Sequence, residues 1–159
     1  MSGNDELFAI FRDEVTETLE QLETHLEALR APGLVERAPE IDAAFRHAHN
    51  LKGAARIVGH DTIVTITHAM EDVLSNERHS CDGPSEVLLD VLMQGLTIIQ
   101  RAVDGEEQYG PADEFLARIG EALEVAGDES SGMVAECAPT AAGERAEPGA
   151  ATTSDSGPG

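Results

Sequence analysis

The feature that most constrains this chain is the spacing of its apolar side chains, which recur every three or four residues in five consecutive segments. This spacing collects apolar residues on one face of an α-helix, whereas a half-buried strand needs a strict alternation that no segment sustains. We therefore predict an all-α fold, an antiparallel up-and-down helical bundle with a four-helix core plus a fifth, C-terminal helix.

Turn residues and capping residues set the expected limits of the helices. Gly59 is expected to be a C-cap, because glycine readily adopts the left-handed conformation in which many helices end. Asp61 or Thr62 can cap the third helix and Ser85 the fourth, while a shorter fifth helix follows Pro111. The expected helices cover roughly residues 5–30, 39–58, 62–80, 86–103 and 112–125.

The apolar stripes are expected to meet in an aliphatic core, since aromatic residues make up only 3% of the chain and tryptophan is absent. Hydrophobic residues make up 41% of the chain, which is enough to build such a core. In chain order, the stripes run from Phe8 to Leu29, from Ile41 to Ala55, from Ile63 to Leu74, from Val87 to Val103 and from Phe115 to Val125.

Composition changes near Gly127, where large apolar side chains become rare and small, polar and acidic residues prevail. Such a segment cannot bury enough apolar surface to offset the entropy lost on ordering it. We predict one folded domain over residues 1–126, followed over residues 127–159 by a disordered acidic tail or the start of an interdomain linker. Cys81 and Cys137 lie far apart in polar settings and are expected to be reduced thiols.

The net charge narrows the classes of function. With 31 acidic residues against 10 lysines and arginines, the chain carries −21 at pH 7, which repels nucleic acids and anionic membrane surfaces. No apolar run reaches the roughly 18–20 residues of a membrane span. The N-terminus also lacks the basic and apolar regions of a signal peptide, so we expect a cytoplasmic protein that binds neither nucleic acid nor membrane.

The second predicted helix contains HNLKGAAR at residues 49–56. Residues three, four and seven apart share a helix face, so His49 lies in line with Lys52, Gly53 and Arg56. Lys52 is the only lysine in a strongly acidic chain, which indicates a local need for positive charge such as a phosphoryl group on His49 would create. Gly53 costs a helix interior up to about 1 kcal/mol relative to alanine, and its benefit would be open space beside His49 for a partner's active site.

The third predicted helix adds His68 and Glu71, which are three residues apart and are expected to share a face. If that face meets the face of His49, the Glu71 carboxylate can accept a hydrogen bond from the Nδ1–H of His49. The bond would fix the neutral tautomer and leave the Nε2 lone pair free and more nucleophilic.

These residues resemble a known family. HNLKGAAR is similar to the phosphoryl-accepting helix of histidine phosphotransfer (HPt) domains, whose signature is His-x-x-Lys-Gly followed by small residues, and it is most similar to the CheA type found in chemotaxis histidine kinases. In that type a His-x-x-Glu pair follows on the next helix, at the separation of 19 residues found here between His49 and His68. Asn50 and His60 depart from the usual pattern without touching the expected chemistry.

The resemblance assigns a role to each residue of the constellation. It implies that His49 accepts and donates the phosphoryl group, that Glu71 orients His49, and that Lys52 and His68 assist. It also implies a phosphoryl carrier that binds no cofactor and no metal ion of its own.

Partners follow from the same resemblance. It implies a histidine kinase catalytic domain that supplies ATP and Mg²⁺, and a CheY-like receiver domain of a response regulator that supplies Mg²⁺ and the accepting aspartate. Gly53 and Arg56 are expected to contact these partners. The isolated domain is expected to be monomeric and its parent protein a CheA-type kinase, although no nucleotide-binding glycine loop occurs in this sequence.

Other interpretations stay open on the residues alone. His47 could be the acceptor instead, although it lies about 200° from His49 around the helix, on the side of the core. A metal-binding bundle could use His47, His49, His68 and Glu71, but the first two point in different directions, and ferritin-like bundles carry Glu-x-x-His, the reverse order. A purely interaction bundle with an inert histidine is the third interpretation.

Overall fold

The structure is a computed structural model that describes residues 3–31, 36–80, 82–106 and 112–129, with side chains up to residue 125 in the last segment. These residues form helices without any strand, which confirms the predicted all-α fold. In chain order the helices are α1 (Gly3–Arg30), α2 (Ala38–Val58), α3 (Asp61–Glu77), α4 (Glu86–Val103) and α5 (Ala112–Glu129).

Four of the helices form a closed ring of neighbours. Helix α1 packs against α2 and α4, and α3 packs against the same two helices. Short connections make consecutive helices antiparallel, so the apolar faces of α1–α4 meet in one core. Helix α5 lies outside this ring against α3 and α4, where the Phe115 ring occupies the space that a side chain at Gly95 would fill. The predicted four-helix core with a fifth helix is confirmed.

A two-residue corner joins α2 to α3. Gly59 has a φ of 73°, which confirms it as the left-handed C-cap of α2, and the N–H of His60 donates to the carbonyl of Ala55 at 2.9 Å, closing the helix as a Schellman motif does. His60 is also the N-cap of α3. The expected cap at Asp61 or Thr62 is therefore wrong, because α3 begins directly after the corner.

The other helix limits follow the sequence with two differences. Ser85 caps α4 as predicted, since its Oγ accepts the N–H of Leu88 at 3.2 Å. Helix α3 ends at Glu77, slightly before the predicted limit near Ser80. Helix α5 is not shorter than α4, since both have 18 residues, and it extends past its apolar stripe to Glu129.

The core is mainly aliphatic, with the rings of Phe11 and Phe115 also buried in it, and some ends of the predicted stripes lie outside it. Phe8, Val87 and Val125 are 47%, 48% and 53% exposed. Each lies near the end of its helix, and every residue of α1 from position 3 to 10 is exposed. Periodicity identifies the apolar face of a helix, but it does not say where the neighbouring helix stops covering that face.

Several sequence predictions fall outside this structure. Cys81, Cys137 and residues 130–159 of the predicted tail lie outside the described residues, so what we expect of them stays a prediction. Residues 127–129, predicted to be disordered, instead continue helix α5. Within the described ranges, no helix combines the length and the apolar character needed to cross a membrane.

Three titratable side chains meet between α1 and α2. Nδ1 of His25 lies 2.7 Å from Oε2 of Glu40, and the rings of His25 and His47 stack with their centroids 5.5 Å apart. Burial lowers the pKa of His47 below its ordinary value of 6.5, and the positive charges of His25 and Arg46 lower it further. Because it stacks on His25 of α1 and is partly buried, His47 faces α1 at the edge of the core.

The lowered pKa of His47 predicts a loss of stability in acid. The unfolded chain binds more protons at this residue than the folded protein does, so the free energy of unfolding falls as pH drops below 6.5. We expect His47→Gln to make this fall shallower in urea unfolding between about pH 7.5 and about pH 5. The control is His79→Gln, which changes an exposed histidine and should keep the wild-type slope; an equally steep fall in both variants would contradict the prediction.

Candidate functional site

His49 stands on the exposed rim of α2, close to the core. The nearby residues Ala48 and Leu51 of the same helix are 0% and 2% exposed and pack in the core. The His49 side chain, in contrast, is 64% exposed. Nδ1 of His49 lies 2.6 Å from Oε1 of Glu71 on α3. The short corner between the two helices aligns them so that these side chains meet.

This contact defines the chemical state of the ring. An ionised carboxylate only accepts hydrogen bonds, so Nδ1 of His49 must carry the proton and donate it to Glu71. In a neutral imidazole the other nitrogen, Nε2, then holds the free lone pair. The hydrogen bond expected from the sequence is present, and it leaves the site with a nucleophilic nitrogen on an exposed ring.

Glu71 is buried, with 4% of the residue exposed. A buried carboxylate is costly unless donors and a positive charge compensate it. Here Oε1 faces His49, and Oε2 accepts a hydrogen bond from Nζ of Lys52, whose side chain is 13% exposed. The only lysine of the chain is therefore directed at the carboxylate that holds the histidine, while its expected contact with a phosphoryl group stays a prediction.

The surface beside His49 is open and partly apolar. A Cβ added at Gly53 would have no atom within 4 Å, so the expected open space next to the ring is present. A groove of about 500 Å³ between α1 and α2 is bordered by His49 and Gly53 and by the apolar side chains of Ile10 and Ile57. Arg56 is exposed in the last turn of α2.

His68 lies differently from the expectation. It was expected to share a face with Glu71, but its side chain is 61% exposed, and its Nε2 is 3.8 Å from Oδ2 of Asp72, one turn along α3. A separation of three residues leaves an angular offset of about 60° on a helix. That offset is enough to put Glu71 in the interface with α2 and His68 outside it.

Two residues near the site were missed by the sequence analysis. The ring of Phe45, one turn before His49, lies nearly parallel to the imidazole, with 6.3 Å between centroids and 16° between planes. The guanidinium carbon of Arg78, at the end of α3, lies 4.6 Å from the centroid of the Phe45 ring. The four-residue spacing of Phe45 and His49, which places them on neighbouring turns of α2, is the sequence signal for this contact.

The histidines do not converge as metal ligands would. His47 stacks on His25 toward α1, while His49 bonds to Glu71 on α3. In the described part of the chain, no group of three or more histidine, cysteine, aspartate or glutamate side chains is arranged to hold a metal ion.

Comparison with known proteins agrees with this geometry. The family model of the Hpt domain matches residues 6–106, which include His49, Lys52 and Glu71. The chemotaxis protein CheA of Treponema pallidum (strain Nichols) is 31% identical over 121 residues, 74% of this chain and 14% of that protein. The chemotaxis protein CheA of Rhizobium meliloti (strain 1021) is 30% identical over 138 residues, 85% of this chain and 18% of that protein.

The match and the site occupy the same part of the molecule. This chain spans less than a fifth of the length of either relative. The family model covers more than half of the chain, from α1 to the end of α4, and contains the histidine with its carboxylate and lysine. The chain therefore belongs to the Hpt domain family, the phosphotransfer domains of two-component signalling.

Proposed function

We propose that His49 receives a phosphoryl group from ATP in the active site of a histidine kinase catalytic domain and passes it to an aspartate of a CheY-like receiver domain. The observation that carries the proposal is the exposed imidazole whose Nδ1 is held 2.6 Å from a buried carboxylate. The relatives are chemotaxis proteins by name, which supports a chemotaxis-type role as part of a longer CheA-type kinase. We further propose that the domain is monomeric and works in the cytoplasm.

The first half of the cycle phosphorylates His49. The Nε2 lone pair attacks the γ-phosphorus of ATP; a P–N bond forms, and the bond between that phosphorus and the β,γ-bridging oxygen breaks, releasing ADP. Nδ1 keeps its proton, so the ring gains a formal positive charge that faces the Glu71 carboxylate directly. Because the carboxylate is already in place, it stabilises this charge as it develops. The kinase supplies ATP and Mg²⁺.

The second half of the cycle transfers the phosphoryl group from His49 to the receiver domain. A carboxylate oxygen of the receiver aspartate attacks the phosphorus, the P–N bond breaks, and its electron pair returns to Nε2. The ring leaves as a neutral imidazole that still carries the Nδ1 proton, so His49 exchanges no proton in either half. The receiver supplies Mg²⁺, and this domain contributes a positioned donor, which is most of what phosphoryl transfer requires.

Lys52 has two parts in this proposal. Before phosphorylation its ammonium group balances the buried charge of Glu71. A lysine side chain is flexible and carries three donors, so we infer that it turns toward the phosphoryl oxygens once the ring beside it bears them. The assisting role of His68 rests on the family resemblance, since the side chain is exposed beside Asp72.

The surface around His49 suits two successive partners. Each must bring a phosphorus atom within bonding distance of Nε2, which needs space beside the ring, and Gly53 leaves that space open. Ile57 is 77% exposed and Ile10 59% exposed on the border of the adjoining groove. We infer that the kinase and the receiver both dock over this apolar border, with Arg56 at its end.

Phosphorylation by the proposed partner is measured directly by intact mass. The domain is incubated with Mg-ATP and a CheA-type catalytic domain encoded in the same genome. We expect a mass gain of one phosphoryl group that is labile in acid and lost on addition of a receiver domain, because a P–N bond is a reactive donor.

The test variant is His49→Gln, and its matched control is His47→Gln. Each removes one imidazole of α2. The His49 variant should fold and stay unlabelled, whereas the His47 variant should label fully. Full labelling of the His49 variant would overturn the assignment of the acceptor.

The charge of Glu71 is tested by Glu71→Gln, which keeps the shape of the side chain and removes the charge. We expect the kcat for phosphorylation to fall about ten- to hundredfold, because the carboxylate no longer stabilises the positive ring. The KM for the domain should change little, since Glu71 is buried away from the docking surface. Asp72→Asn neutralises the next carboxylate on α3 and is the control; equal rates in the two variants would contradict the role of Glu71.

A further inference from the structure

A single hydrogen bond does not fix the plane of the His49 ring. The terminal torsion of a histidine side chain has broad, roughly two-fold preferences, and a hydrogen bond tolerates a range of angles, so the bond from Nδ1 to Glu71 narrows the torsion about Cβ–Cγ without fixing one value. The Nε2 lone pair lies in the plane of the ring, so every such rotation changes the direction from which a phosphorus atom must approach. A second contact is needed to set that plane.

Phe45 provides a contact of the required kind. It lies one turn before His49 on α2, where residues four apart are neighbours. Its ring is within 16° of parallel to the imidazole at a centroid separation of 6.3 Å, inside the range of offset aromatic pairs. A nearly parallel, offset ring beside the imidazole opposes its rotation out of that plane, whereas the hydrogen bond to Glu71 restrains the ring at Nδ1 alone.

Phe45 is itself held in place by the hydrophobic core and by Arg78. It packs against the hydrophobic core, and the guanidinium carbon of Arg78 lies 4.6 Å from its ring centroid. Nε of Arg78 donates a hydrogen bond to Oδ1 of Asp42, one turn before Phe45 on α2. An arginine on an aromatic face contributes cation–π attraction, and the carboxylate limits the positions that this arginine can take.

We propose that Phe45 is a positioning residue that sets the plane of the His49 ring, and that Arg78, held by Asp42, keeps Phe45 in place. The inference rests on the proposed function, because an aligned Nε2 matters only if that nitrogen accepts a phosphoryl group. One row along α2 then contains Asp42, Phe45 and His49. Arg78, at the end of α3, contacts the first two of these residues. Two helices therefore orient the nucleophile, α3 through the hydrogen bond of Glu71 to Nδ1 and α2 through the offset parallel ring of Phe45.

A purely structural role for Phe45 is the competing explanation. In that case any apolar side chain of similar volume would serve, and the dynamics of the His49 ring would not depend on an aromatic neighbour. Phe45→Leu keeps the apolar volume and removes the ring, while Phe45→Tyr keeps the ring. The two variants therefore separate packing from positioning, provided that thermal unfolding shows both to be folded.

The experiment measures ring order and phosphorylation on the same four proteins, which are the wild type, Phe45→Leu, Phe45→Tyr and Arg78→Met. Carbon relaxation of the His49 ring reports its order in the unphosphorylated domain, and nitrogen shifts report whether Nδ1 keeps its proton. We expect Phe45→Leu to lower the order of the ring with the Nδ1–H tautomer retained, and to lower the kcat of phosphorylation about three- to tenfold at unchanged KM. Phe45→Tyr should keep the ring order and the kcat at their wild-type values. Arg78→Met should show part of the decrease expected for Phe45→Leu.

The outcomes separate this inference from the function beneath it. Unchanged ring order in Phe45→Leu would overturn the positioning role, whether or not the wild-type domain is phosphorylated. Lower ring order with an unchanged kcat would overturn the claim that the ring plane controls the rate. If the wild-type domain accepted no phosphoryl group from its kinase, the proposed function would fail first, and the catalytic part of this inference would fail with it.

Discussion

The carboxylate of Glu71 is the one charged side chain that the described part of the bundle buries. Such a group is stable only where donors surround it and a positive charge balances it. Both are supplied by α2, through Nδ1 of His49 and Nζ of Lys52, which are three residues apart and reach the two oxygens separately. The state of the imidazole and the direction of the only lysine both follow from that requirement, which the packing of α2 on α3 has to satisfy.

The same interaction links the fold to the proposed chemistry. A carboxylate fixed behind Nδ1 keeps a proton there, directs the free lone pair of Nε2 outward, and faces the positive charge that phosphorylation places on the ring. Because the carboxylate is buried and the imidazole is mostly exposed, the proposed partners can approach Nε2 while Glu71 remains shielded from the solvent. The two-residue corner at Gly59 and His60, closed by hydrogen bonds to the last turn of α2, places α2 and α3 in the alignment that makes this possible.

Much of the fold and the centre of the site could be predicted from sequence, because both depend on local spacing. Apolar periodicity identified five helices, and the spacings of His49, Lys52 and Glu71 led to the hydrogen bond that the structure contains. Periodicity could not show that α3 turns His68 outward, since a small angular offset decides which of two residues enters an interface. Nor could it find the stack of Arg78 on Phe45, because these residues meet only when the end of α3 lies across α2.

The central claim is that Glu71 holds the proton on Nδ1 so that Nε2 of His49 accepts the phosphoryl group. The most direct test is long-range proton–nitrogen NMR of the phosphorylated domain, labelled with ¹⁵N in its histidine rings. The account predicts one phosphorylated ring, that of His49, with phosphorus bonded to Nε2 and a proton on Nδ1. Phosphorus on Nδ1 of His49, or on any other histidine, would contradict it.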